Sequence, residues 1–553
     1  MKTDKTKFIF ITFLLFFLSI SEINTSFSCG ADKLKIKPFN LDSPEDYENR
    51  RLASGYTPIK IGVDFSSFTK PSSLSDYEFQ KVRNLISETM NEFPKFLSIQ
   101  HTDITIDDKD INTVIEYCEL NKVSSNYRRF LINYDVVVFP AFENLGSGVL
   151  AAAGACLTYG KNRPRPVFGV LYINPELSFD IRNTDIYMKN LLLHEVTHIL
   201  MFSPSIFNAL NLVSGSKIIS TNAVLKARQH FNCGTLSGIP LENQGGEGSV
   251  GSHWEARYML GDYMISTDYI DTALSDITLG LFEDTGYYKV NYYSGGLFKY
   301  GKNKGCDFIN KKCVNSGKPI SEEFCVSGRA KTCSATRTMK SICVIYDYSA
   351  SGISIPSNYQ YFSNPNYGGF QPANFCPVPN INYENDDDYY PNSCKVGTST
   401  LNSDYGETIG DTSFCFISSL VPRDSQINNS EQAICYETKC DDNNKQIIVS
   451  IGELKVTCPT SGGVIDNPSG FKGSINCPKY IDICDFEDNV MCNEMFDCLN
   501  KKVETDYDSY NFDPDDDNFI RYTPEITMRS SSFSLKINII FIFLLYFLAL
   551  FYN

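Results

Sequence analysis

Residues 185–202 read DIYMKNLLLHEVTHILMF, and both the fold and the chemistry of the chain turn on them. Ile186, Leu191, Leu193, Val196, Ile199, Leu200 and Phe202 recur all round this segment, which predicts a largely buried helix. Thr184 or Asp185 can cap its start, and Pro204 is expected to stop it. His194 and His198 stand four apart, so both imidazoles leave one helical face and can reach a single metal ion. Glu195 projects beside them, where it can take a proton from an activated water. Two histidines and a glutamate buried without a partner would be unfavourable, so the pattern points to zinc rather than to plain core packing.

A catalytic zinc needs a third protein ligand and an open fourth position. The remaining histidines are His101, His230 and His253, and Glu242 and Glu247 are acidic candidates. Cys233 is expected in a disulfide instead. His253 stands out by context, in GGEGSVGSHW (245–254), because a glycine-rich approach lets the backbone turn sharply and come close to a metal. Met264 follows eleven residues later. His230 reads as a structural histidine, His101 as solvent-exposed in a polar stretch, and Trp254 as packing beside the site.

Outward from the helix, IKIGVDF (59–65) alternates as a half-buried strand does, and a helix follows over about 77–93, with Ser75 or Asp76 as cap and Pro94 as limit. DVVVF (135–139) and VFGVLYI (167–173) are β-branched and aromatic, hence central strands. Residues 274–285 predict a second amphipathic helix with Gly286 as its left-handed cap. Strands mixed with helices suggest an α+β or α/β catalytic module, placed over 56–315, and the likeness given below implies an insertion in it at 205–250 and an α+β fold.

The chain has 553 residues, too many for one core. Fifteen of its 19 cysteines lie between Cys306 and Cys498 at irregular spacings, which predicts a cysteine-rich domain over 316–500 stapled by disulfides in an oxidising compartment. Because 19 is odd, at least one cysteine lacks an intrachain partner. Asn428-Asn429-Ser430 is a glycosylation sequon and predicts a surface loop. A formal net charge of −16 repels phosphate backbones, so nucleic acid is excluded as a partner.

At the start, Lys2, Lys5 and Lys7 precede a short apolar run from Phe8 to Ile20 and then small and polar residues, the layout of a secretory signal peptide over 1–28. Residues 29–55 form a possible pro-segment. Residues 501–530 read as an acidic stalk. In 531–553 an apolar run from Ile537 to Phe551 follows Ser530, Ser531 and Ser532, as in a GPI-anchor signal; a membrane-inserted tail is the alternative. Either tether places the protein on the outer face of the plasma membrane, reached by secretion.

HEVTH, a separation of 55 residues to His253, and then GSHWEARYMLGDYM resemble leishmanolysin, the metzincin family with a large insertion before its third histidine. VLAAAGAC (149–156), RPVFGVLYINP (165–175), LENQGGEGSVGSHW (241–254), LFEDTGYYKVNY (281–292) and YGKNKGC (300–306) extend the likeness in the same order, over about 56–343. The resemblance implies a surface zinc endopeptidase acting on proteins or peptides, made as a zymogen, with a two-lobe catalytic module and a disulfide-rich C-terminal domain. It assigns one catalytic Zn2+ to His194, His198 and His253, the general base to Glu195 and the methionine turn to Met264. Two departures stand out. Metzincins have glycine three residues after the second histidine, where this chain has Met201, and they commonly carry the third ligand six residues after the second, where it has Pro204. The family's pro-segment blocks its zinc with a cysteine in a histidine-bearing motif; here Cys29, in SCGAD, is the sole cysteine ahead of the module. A GPI-anchored cysteine-rich adhesin and a metalloprotease that no longer turns over are the rival readings.

Overall fold

The computed structural model describes residues 29, 38–41, 55–146, 148–161, 163–175, 185–244, 249–267, 269, 271–292, 297–381, 392–395, 403–484 and 495–496. The expected signal segment, stalk and C-terminal tail, and with them Thr184 and Glu247, lie outside these residues.

Strands β1 (Phe39–Leu41), β2 (Ile61–Val63), β3 (Val136–Phe142), β4 (Ala151–Tyr159) and β5 (Arg165–Ile173) form one sheet in the order β1-β4-β5-β3-β2. β4 runs antiparallel to β5; the other neighbours pair parallel, with β1 on the outer edge of β4 from Phe39 opposite Leu157 to Leu41 opposite Tyr159. The sheet is covered on both faces, which is why β3, β4 and β5 are nearly continuous runs of buried residues. Val136, Val138, Ala153 and Leu171 face the larger core, while Val137, Phe139, Leu157 and Val170 face a smaller one with Ile111 and Val114.

Two helices fill the larger core: α1 (Asp76–Met90) and α2 (Asp185–Leu200). Ser75 caps α1 in a reciprocal pair with Glu78, satisfying two amides that the helix cannot. α2 lies against β4 and β5. The approach is close because Gly169 of β5 has no side chain: a Cβ there would sit 2.4 Å from Cγ2 of Ile199. Pro204 does not simply stop α2. The helix ends at Leu200 and Pro204 opens a new short helix, Pro204–Ala209, since a proline at the first helical position forfeits no hydrogen bond.

The expected insertion is ordered in its described part. Its helix α3 (Thr221–Phe231) packs on α4 (Asp276–Asp284), where Gly280 lets the backbones meet. Both carboxylate oxygens of Asp284 accept α3's first amides, Asn222 and Ala223, at 2.9 Å. Gly286 adopts the left-handed conformation expected of it, with φ 68°. Cys233 is bonded to Cys306.

Further along, β6 (Ser413–Ser418), β7 (Gln432–Asp441), β8 (Gln446–Ile451), β9 (Leu454–Cys458), β10 (Gly463–Asp466) and β11 (Ser474–Cys477) build an antiparallel sheet in the order β9-β8-β7-β6-β11-β10 over a third core. Eight disulfides join described cysteines, six of them between residues 313 and 484. The mixture of helix, sheet and disulfides is an α+β fold. Among the described residues no helix is long and apolar enough to cross a membrane.

Candidate metal centre

α2 carries His194 and His198 to the same buried spot, and their Nε2 atoms stand 3.0 Å apart. His253 arrives from the far end of the insertion, its Nε2 3.3 Å from that of His194. Nitrogens held about 2.05 Å from one tetrahedral centre lie ~3.3 Å from each other, so the spacing matches a shared ion.

The protons decide the matter. Nδ1 of His194 points at the Tyr263 carbonyl at 2.6 Å, and Nδ1 of His198 at the Phe202 carbonyl at 2.7 Å. Carbonyls only accept, so each Nδ1 must donate, and a neutral imidazole has one N–H to give. Both Nε2 atoms are then bare lone pairs facing each other, an arrangement that needs a cation between them. Nδ1 of His253 has the Ser249 carbonyl at 3.2 Å and the Ser252 hydroxyl at 3.0 Å. Burial holds the rings neutral: it pulls His194 down to about 4 and His253 to about 3, and drives His198 well below its ordinary range, with the neighbouring imidazoles adding to the effect.

The fourth direction is taken by Cys29, whose Sγ lies 3.3 Å from Nε2 of His198. The ligand atoms of Cys29, His194, His198 and His253 all fall within 4.8 Å of one another, and all four residues are buried. Three neutral imidazoles and a thiol are a donor set that zinc favours. Glu195 is fully buried, and neither carboxylate oxygen makes a hydrogen bond of ordinary geometry. Burial pushes its carboxyl up to about 8, relieved only in part by the Cys29 thiol and the Ala153 backbone.

Loop residues that sequence reasoning did not single out hold the arrangement. Asp262 accepts the Met264 amide and the Thr278 hydroxyl, both at 2.8 Å, and Thr278 in turn accepts the indole N–H of Trp254 at 2.8 Å. The Trp254 amide donates to the Met264 carbonyl at 2.9 Å. Met264 therefore sits fully buried in a tight turn tied to the residue after His253. Tyr263 bonds α2 twice, through its carbonyl to His194 and through its hydroxyl to Thr197 at 3.1 Å.

The missing glycine after His198 has a local answer. Met201 is not left-handed; the amides of Met201 and Phe202 both reach the Thr197 carbonyl at 2.9 Å, and the Phe202 carbonyl folds back to His198. The other histidines lie elsewhere. His230 bonds the Tyr300 carbonyl at 2.8 Å and stacks on Phe298, a structural role as expected. His101 is not the exposed residue that its polar surroundings suggested: it is half-buried between Asp135 at 2.7 Å and Asp103 at 3.1 Å. Glu242 turns away from the histidines and accepts the amides of Asn243 and Gln244.

A buried helix and a returning loop thus bring three neutral imidazoles together, with a carboxylate alongside, in a group that could hold a metal ion. The sequence model of the leishmanolysin peptidase family matches residues 77–491, and the chain belongs to that family. Among curated proteins it is 27% identical to leishmanolysin of Leishmania tropica over 375 residues, covering 64% of this chain and 55% of that protein. It is 26% identical to the leishmanolysin homolog of Crithidia fasciculata over 423 residues, 72% of this chain and 62% of that one. Over a shorter stretch of 176 residues it is 33% identical to the leishmanolysin-like peptidase of Caenorhabditis elegans, 28% of this chain and 26% of the relative. The chain thus spans between about half and three fifths of the length of the first two relatives.

Proposed function

We propose that the chain is a zinc endopeptidase that cleaves proteins or peptides outside the cell, with His194, His198 and His253 as the metal ligands, Glu195 as general base and Met264 as the methionine turn. The observation that carries this reading is the pair of bare Nε2 lone pairs 3.0 Å apart, with a third imidazole joining them and an unbonded buried carboxylate alongside. A zinc ion bound there supplies Lewis acidity and lowers the pKa of water towards about 7. Glu195 then takes a proton from the attacking water and returns it to the leaving amine, with no covalent intermediate.

The module is read as two lobes, with strands β2–β5 and α2 above the cleft and the loop region of His253 and Met264 below it. Its span is 56–315, followed by the cysteine-rich domain at 316–500. Residues 29–55 are read as a pro-segment held at two points. Cys29 closes the fourth position, and β1 lies along the outer edge of β4. A four-ligand site is closed to substrate, so latency follows from the thiol. Cys29→Ser is expected to give a precursor already active on casein; a variant as latent as the wild type removes the plug. The eight disulfides support a secreted route, and the apolar tail supports a membrane tether.

The test is a casein zymogram of the purified chain with and without a chelator, paired with its zinc content. Chelator-sensitive clearing with about one zinc per chain supports the peptidase. Zinc without clearing in the purified chain and in Cys29→Ser alike indicates a protein that has lost turnover, and neither zinc nor clearing in either indicates an adhesin.

A further inference from the structure

The loops on the far side of the metal centre touch the cysteine-rich part of the chain at two places. At the first, the Thr336 hydroxyl lies 2.6 Å and 2.8 Å from the two carboxylate oxygens of Asp271, and the Thr338 hydroxyl lies 3.1 Å from one of them. Asp271 stands two residues before Ala273, whose amide donates to the Gly261 carbonyl at 2.7 Å and whose carbonyl accepts the Tyr263 amide at 2.9 Å. The Tyr263 carbonyl in turn accepts from Nδ1 of His194, and Met264 comes next in the chain. At the second, Oδ1 of Asn374 accepts the Gln244 side-chain N–H at 2.6 Å, and the Asn374 side chain also bonds the Glu255 carboxylate. Gln244 and Glu255 stand on either side of His253.

Both contacts spring from ground that disulfides stiffen. Cys333, three residues before Thr336, is bonded to Cys415, whose amide donates to the Arg337 carbonyl at 2.7 Å. Cys376, two residues after Asn374, is bonded to Cys313. Thr336, Thr338 and Asn374 are buried, so these bonds form away from bulk water, where a lost partner is costly. A ligand carried on a loop is only as well placed as the groups that orient the loop. We propose that Thr336 and Asn374 are positioning residues for the zinc site, through which the disulfide-rich domain holds the loops of Met264 and His253 in register with α2. Neither residue is among the four that gather their ligand atoms at the site; each acts through a loop. The affinity of the site for zinc therefore depends on a part of the chain that supplies no ligand.

The inference rests on zinc binding by His194, His198 and His253, and its test reads metal affinity rather than cleavage. Zinc affinity of the purified full chain is measured by competition with a chromogenic chelator, well below the melting temperature. The variants are Thr336→Val, which keeps the shape, and Asn374→Gly, which keeps the left-handed backbone found there at φ 54°. Each is expected to weaken zinc binding about tenfold, the low end for residues that orient ligands, and Thr336→Ser should restore it. Trp254, the sole tryptophan and fully buried, sits in the same loops, so its emission should shift to the red in both variants while the far-UV spectrum stays. Thr338→Val, a milder cut at the same contact, decides the case if Thr336→Val does not fold. Variants that lower Tm but leave the zinc affinity of the folded chain in place overturn the inference while the metal reading stands. A wild-type chain that binds no zinc overturns the metal reading, and this inference with it.

Discussion

The two sides of the metal centre are held in different ways. On one side His194 and His198 are placed by a single regular element. α2 is buried from Leu192 to its end, and its seat on the sheet is set by Gly169 under Ile199. On the other side His253 and Met264 come from loops, tied to helix α4 through Thr278. They are held by a polar chain running from Trp254 through Thr278 to Asp262 and the Met264 amide. Hydrophobic packing positions the helix; satisfied buried hydrogen bonds position the loop. The difference teaches that equal ligands in a coordination set can answer to unlike forces, and that they should fail differently.

The sharpest cut is Glu195→Ala. On the helix side it removes a group that moves protons but binds no metal. Proteolysis should fall by about three orders of magnitude or more while zinc stays near one per chain. Unchanged casein cleavage would end the proposed mechanism. Next in size is Asp262→Ala, which breaks the loop's polar chain. Zinc affinity measured by competition with a chromogenic chelator should weaken about 10- to 100-fold, as for other residues that orient ligands. If affinity holds, the loop is not kept in place by that chain. Gly169→Ala probes the helix seat. The added methyl meets Ile199, so stability should drop by about 1–3 kcal/mol in denaturant melts, with little change in zinc affinity once folded; an unchanged midpoint would show slack between sheet and helix.

The smallest effect belongs to a histidine outside the site. Asp135 beside His101 raises its proton affinity, chiefly through their hydrogen bond, and Asp103 adds to it against partial burial. A pKa raised on folding gives stability that is full below about pH 6.5 and is lost as pH rises through the folded value. His101→Asn should therefore lower Tm by about one or two degrees at acidic pH and by less at alkaline pH, since the pair is partly exposed to solvent. An equal loss at both extremes would refute the charged pair. The site histidines contrast with it, being held neutral by burial.

Much of the helix side was legible in the sequence, because a periodic apolar pattern and a four-residue spacing are local facts. α2 was expected over 185–202 and spans Asp185–Leu200. Ser75 was readable as a cap from its position alone. The loop side was legible only through glycine context and family likeness, since convergence across 55 residues is a tertiary fact. β4 was not read as a strand: AAAGACLTY is buried on both faces and so shows no alternation. β8 does alternate along QIIVSI, but the density of cysteine, asparagine and glycine around it drew the reading towards loops. His101 was misjudged because Asp135, its main partner, lies 34 residues away.

The last stretch of the insertion closes on itself. Leu241 bridges Trp254, the Glu242 amide bonds the His253 carbonyl at 2.9 Å, and the Gly251 amide bonds the Glu242 carbonyl at 2.9 Å. The returning histidine is thus registered against the strand just before it rather than against the whole excursion. Chain length between these clasps is thermodynamically cheap to vary, at about 0.6 kcal/mol for each doubling of a flexible loop. A graft confined to the chain between Glu242 and Gly251 would leave these clasps in place, which makes that short stretch a natural port for carrying added recognition surface.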